Sequence, residues 1–148
     1  VTLIELEESQ KVAVAEIDAQ HEALVDLVNQ LHDSMMAGSD RDALDGILSE
    51  LLQYTAEHFA YEEQLMLRHA YPGYEKHKAD HTRLMDHVND LARRFRAGDL
   101  LLSFAVMLDL KAWATVHIEK ADKPLGVFLN RQTDRPRLDD NSSRALTD

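Results

Sequence analysis

Seven side chains in this sequence have the types and spacing to hold metal. His58 and Glu62 are four residues apart, and so are His77 and His81. Four residues is close to one turn of α-helix, so each pair projects from one face of its helix. His21 stands alone in an earlier segment, and His117 is followed five residues later by Asp122. All fall on apolar stripes; the stripe around His58 and Glu62 is Leu48, Leu51, Leu52, Thr55, Phe59, Leu65 and Met66. Taken singly these residues say little. A lone inward histidine is more often a hydrogen-bonded core residue than a ligand, and a histidine and glutamate at this spacing are common as a surface pair. Two histidines at that spacing say more, because stacked imidazoles repel when protonated and gain nothing without a metal. Together the set is telling: burying five imidazoles and two carboxylates without a compensating cation would cost many kcal/mol.

Nitrogen and oxygen donors without thiolate suit iron, zinc, manganese or copper. Seven ligands are too many for one zinc ion, which takes four. Two ions fit the count, with Glu62 and Asp122 as bridges and the histidines as terminal ligands. The Glu-x-x-His pairs of ferritin-like di-iron bundles are absent. A histidine-rich set is more neutral than a carboxylate-rich one, which favours reversible chemistry at the ferrous level. Other ionisable groups have plainer readings. His32, His69 and His87 fall off the stripes and are expected in solvent. Glu63 projects roughly 100° around the helix from Glu62 and is expected to be a surface acid. Asp18 is expected as the N-cap or a first-turn acid of the first helix, with a role behind His21 as the alternative.

Four helices are required to bring these side chains together. The first runs from near Asp18 to Gly38, with Ile17, His21, Leu24, Val25, Val28, Leu31 and Met35 in helical spacing. The second starts after Ser39 or Asp40 and ends near His69, before the turn signal Tyr71-Pro72-Gly73. The third is predicted from Tyr74 to Ala97, and the fourth from Leu100 to Lys120 with Asp99 as its cap. Asp122-Lys123-Pro124 should break the pattern before a short helix carrying Leu125, Val127, Phe128 and Leu129. Residues 1–16 alternate over short range and are expected as an extended arm laid across the bundle. The fold predicted is all-α, an up-down-up-down antiparallel four-helix bundle with an N-terminal extended arm and a short C-terminal helix. Its domain spans residues 1–130, and residues 131–148 form a polar tail or linker. In that topology all seven candidates fall at one end of the bundle.

Composition narrows the function classes. A chain of 148 residues with 45% apolar content suits one folded domain. A net charge of −11 argues against nucleic acid or an anionic membrane surface as partner. With no cysteine, disulfides and iron–sulfur clusters are excluded. No apolar run approaches a membrane span, and no signal peptide opens the chain, so the expected location is cytoplasmic. The first residue is Val, which suggests processing or excision from a longer protein.

The segments Asp18-Ala-Gln-His21, His58-Phe-Ala-Tyr-Glu62-Glu63, His77-Lys-Ala-Asp-His81 and Trp113-Ala-Thr-Val-His117-Ile-Glu-Lys-Ala-Asp122 resemble the hemerythrins, specifically bacterial hemerythrin-like domains. The resemblance covers about residues 10–130. It implies two non-haem iron ions bridged by Glu62, Asp122 and an oxo or hydroxo group. His77, His81 and His117 would bind one iron. His21 and His58 would bind the other and leave it a vacant position for dioxygen. The function implied is reversible dioxygen binding rather than catalysis. The chain would be a carrier, a store, or an oxygen- or redox-sensing domain joined through residues 131–148 to a signalling output domain. The alternatives are a di-iron oxidase or peroxidase, a nitric-oxide-scavenging enzyme, and a structural metal bundle. Two departures stand out. The arm lacks the Trp that bacterial members often carry, the only Trp being Trp113. Where many members have Leu three residues before the fourth-helix histidine, this chain has Ala114. The expectation is a roomier, wetter oxygen pocket at Ala114 and Trp113.

Overall fold

The computed structural model describes residues 2–134. Four helices, α1 (Ala15–Met36), α2 (Arg41–Arg68), α3 (Tyr74–Arg96) and α4 (Phe104–His117), form an antiparallel bundle. The first packs on α2 and α4, and α2 packs on α3. The chain then passes through a π-helical turn, Ile118–Asp122, into α5 (Lys123–Asp134).

Local chemistry sets the boundaries. Gly38 ends α1 and Gly98 follows α3, each with positive φ (76° and 82°), a conformation glycine adopts without steric penalty. Asp40 caps α2, its side chain accepting from the Ala43 N–H at 2.9 Å. The fourth helix starts later than predicted, because the cap is Ser103, which accepts from the Val106 N–H, and not Asp99. Leu100 and Leu102 pack against the core while Leu101 is exposed, the alternation of a non-helical segment. Asp18 lies in the first turn of α1 but does not cap it. Its carboxylate instead accepts from the Val12 N–H at 2.9 Å, tying the arm to the helix.

The expected break at Asp122-Lys123-Pro124 is also corrected. Helix continues through it, with Pro124 in the first turn of α5, where a missing N–H is tolerated. Helix α5 reaches Asp134, past the predicted domain edge at residue 130. The rest of the expected tail, residues 135–148, lies outside the described residues.

Residues 2–14 are non-helical apart from a 3-10 turn, Glu8–Gln10, and lie over the bundle as expected. Asn29 grips the arm from both sides: it accepts from the Ile4 N–H and donates to the Ile4 carbonyl, each at 2.9 Å. Farther along, the arm crosses α5 at Gly126, where a Cβ would meet the Val12 carbonyl oxygen at 2.2 Å. Two apolar clusters result. The larger joins Leu3 and Ile4 to Leu31, Leu48, Leu91, Phe95 and Met107. The smaller packs Val12, Ile17, Met66, Ile118, Leu125 and Leu129 beside the seven polar candidates. Among the described residues no helix is long and apolar enough to cross a membrane.

Candidate metal centre

All seven candidates converge at one end of the bundle, and all are buried, Glu62 and Asp122 completely (0% exposed). One residue comes from early α1 (His21), two from the second half of α2 (His58, Glu62), two from the start of α3 (His77, His81) and His117 from the end of α4. Asp122 depends on the π turn. On an unbroken α-helix a residue five positions on lies roughly 140° away. The wider turn, with its hydrogen bonds one residue longer, brings Asp122 Oδ1 to 3.2 Å from His117 Nε2.

The two carboxylates divide their oxygens between two groups of imidazoles. Glu62 Oε1 lies 3.2 Å from His77 Nε2 and 3.0 Å from His81 Nε2. Asp122 Oδ1 lies 3.0 Å from His77 Nε2 and near His117. Glu62 Oε2 lies 3.1 Å from His58 Nε2, and Asp122 Oδ2 lies 2.9 Å from His21 Nε2. Ligand atoms of Glu62, His77, His81, His117 and Asp122 all lie within 4.8 Å of one another, as do those of His21, His58, Glu62 and Asp122.

The residues fit metal. Nε2 of His21, His58, His77 and His117, Glu62 Oε2 and both Asp122 oxygens are buried without a hydrogen-bond partner, an arrangement too costly to keep unless something binds there. Spacings near 3 Å are those of adjacent donors around a cation with bonds of about 2.0–2.2 Å. Three of the five outer ring nitrogens are oriented for the task. His58 Nδ1 donates to Gln20 Oε1 (2.6 Å), His81 Nδ1 to Glu63 Oε2 (2.9 Å) and His117 Nδ1 to Asp80 Oδ2 (2.6 Å). A proton on Nδ1 leaves the Nε2 lone pair facing inward. Phe59 stacks flat on His81, 3.9 Å between ring centroids, and fixes the ring plane.

The Glu62 and Asp122 carboxylates favour protonated imidazoles when no metal is bound. Burial alone would strip His21 and His77 of their protons, but the Asp122 and Glu62 carboxylates beside them outweigh it and raise both pKa values to about 9. The same contest raises His117, here through Asp122 and Asp80. Burial, and for Asp122 the neighbouring Glu62 charge, favours neutral carboxyls. The surrounding histidines prevail and hold both well below the usual carboxylate range.

A cavity of about 90 Å³ opens beside the cluster. Its walls include His21, His58, Leu24, Leu110, Trp113 and Ala114, so the two residues expected at an oxygen pocket do line an internal space. Two readings of the surroundings are overturned. Glu63 is not a surface acid: its side chain is 24% exposed and bonds His81 across the α2–α3 interface. His32 is not solvated but buried near the ring of Phe104. His69 is half-buried, and His87 is exposed with its ring on Trp113. The outer partners Gln20, Glu63 and Asp80 were not foreseen, although Gln20 and Asp80 directly precede His21 and His81.

Fold and site define a four-helix-bundle metal-binding domain. Residues 12–127 match the family described as the hemerythrin HHE cation binding domain. The chain is 34% identical over 113 residues to the bacteriohemerythrin of Methylococcus capsulatus, covering 76% of this chain and 86% of that protein. It is 27% identical over 116 residues to the myohemerythrin of Riftia pachyptila, covering 78% and 85%. The crystal structure of wild-type hemerythrin superposes with a TM-score of 0.79 at 31% identity, covering 84% of this chain and 95% of that one. This chain belongs to the hemerythrin family, whose members hold a non-haem di-iron centre and bind dioxygen.

Proposed function

We propose that this chain binds dioxygen reversibly at a di-iron centre, with His77, His81 and His117 on one ion, His21 and His58 on the other, and Glu62 and Asp122 shared. The division of the two carboxylates' oxygens between the histidine groups supports the assignment. When bound, the iron pair supplies electrons that dioxygen can draw on and return. The chain's own residues supply the setting: His58, His81 and His117 held in one tautomer, shared carboxylates and an apolar approach.

The observation that carries this reading is the cavity. It touches both histidines of the pair with one fewer ligand, while of the other three it reaches only His117. Apart from ligand candidates, its polar wall groups are the Trp113 indole and Thr55, and the Thr55 hydroxyl already donates to the Leu51 carbonyl at 2.7 Å. That lining suits a small apolar gas. It aims no general acid or nucleophile at a substrate, which favours binding over oxidase or peroxidase chemistry. Carrier, store and sensory domain all use the same site; the sensory form requires an output domain joined through residues 131–148.

The test is optical. The reduced, iron-loaded protein is cycled between dioxygen and argon. A visible band that appears and fades over repeated cycles is expected. A band that forms once and decays with release of peroxide would overturn reversible binding.

A further inference from the structure

The two histidine groups differ in the charge that stands behind them. On the three-histidine side, His81 donates to the Glu63 carboxylate and His117 to the Asp80 carboxylate. On the two-histidine side, His58 donates to the neutral Gln20 amide, and His21 Nδ1 has no partner. His77 Nδ1 also lacks one. Glu63 and Asp80 are mostly buried, at 24% and 26% side-chain exposure. The other Asp80 oxygen pairs with exposed Arg83, which tempers but does not cancel its charge at His117.

A carboxylate accepting the outer N–H makes the opposite nitrogen a stronger donor, and its charge acts directly on a nearby cation. A neutral amide orients the ring without either effect. Both electrostatic contributions therefore favour a cation on the His77, His81 and His117 side.

Building on the ligand assignment above, we propose that this asymmetry sets the order of filling. The three-histidine position, backed by Glu63 and Asp80, takes the first divalent cation. The two-histidine position, backed by Gln20, takes the second and releases it first. The position beside the cavity is thus also the one that empties more easily. Ligand number favours the same order, so the charges must be varied without touching a ligand. Glu63→Gln and Asp80→Asn keep an oxygen acceptor for each imidazole and remove its charge, whereas Gln20→Glu adds charge on the opposite side.

The experiment is a cobalt(II) titration of the metal-free protein, with circular dichroism as the check on folding. Paramagnetically shifted imidazole N–H signals report which ring is occupied, and chelator competition gives the two dissociation constants. The three variants assign the signals, since each alters the partner of one ring. The first equivalent is expected to shift His81 and His117, and the second His58. Glu63→Gln and Asp80→Asn should each weaken the first step by about 10-fold or more. Gln20→Glu should tighten the second step and narrow the gap. If Glu63→Gln fails to fold, the other two variants decide. First occupancy at His58, or constants unchanged in the folded variants, would overturn the proposal while leaving the ligand assignment intact. Fewer than two cobalt ions per wild-type chain would overturn the assignment itself and this proposal with it.

Discussion

The two histidine groups share Glu62 and Asp122 but face different surroundings. Against His81 stand the Phe59 ring and the Glu63 carboxylate, and against His117 the Asp80 carboxylate. Beside His21 and His58 lies an apolar cavity of about 90 Å³, closed in part by Ile4 of the arm. One side has carboxylates behind two of its rings, the other an apolar space against both of its rings. A bundle can do both at one level because each helix contributes independently.

Removing a shared residue should abolish the contrast altogether. Glu62→Ala deletes oxygens that face both groups, and iron content should fall by at least one ion per chain, as read by metal analysis. Full occupancy in this variant would mean that Glu62 bridges nothing. The next largest effect concerns the protons on the histidines of both groups. With His21 and His77 raised from 6.5 to about 9, the metal-free protein gains stability that is complete below pH 6.5 and lost as pH rises through 9. Glu62 and Asp122, whose pKa values are lowered, add stability present above the ordinary carboxylate range and lost well below it. The melting temperature of the metal-free form should fall by on the order of a few °C between pH 6.5 and 9. Metal uptake should release protons and strengthen over the same interval. A flat melting profile would show that the histidines are neutral in the metal-free protein.

Ala114→Leu sharpens the contrast from the side of the ~90 Å³ cavity alone. Filling the cavity wall should slow autoxidation of the dioxygen-bound form severalfold and hinder azide entry, with iron content unchanged. An equal or faster autoxidation rate would count against the cavity as the dioxygen site. The smallest effect is expected from Asn29→Ala, which releases both backbone groups of Ile4. It should cost about 1–3 kcal/mol in chemical denaturation and quicken hydrogen exchange near Ile4. An Ile4 N–H that stays equally protected would show that the arm is held by packing instead.

The convergence of the seven side chains was legible in the sequence because histidine and carboxylate on apolar stripes have few cheaper explanations. What surrounds them was less so, for identifiable reasons. Rotating Glu63 by one residue's arc turns it off the stripe, but its side chain spans the gap to α3 and reaches His81. Which neighbour it meets depends on helix packing, which periodicity does not encode. His32 lies near a helix end and off the stripe, yet the start of α4 lays Phe104 near it. Asp122 was placed at the site by type and by resemblance, while α-helical arithmetic alone would have turned it away from His117. The π turn reconciles the two, and Pro124 two residues on suggested a break where the helix continues. Likewise Asp99 was a plausible cap, but Ser103 wins because Leu100 and Leu102 pack inward before the helix begins.

The central claim is that two ions lie in one buried site and are held unequally. A crystal structure of the iron-loaded protein with anomalous maps at the iron edge tests this most directly. Two peaks are predicted: one among His77, His81 and His117, the other beside His21 and His58 facing the cavity, with Glu62 and Asp122 touching both. A single peak, or histidines sorted differently between two, would contradict it.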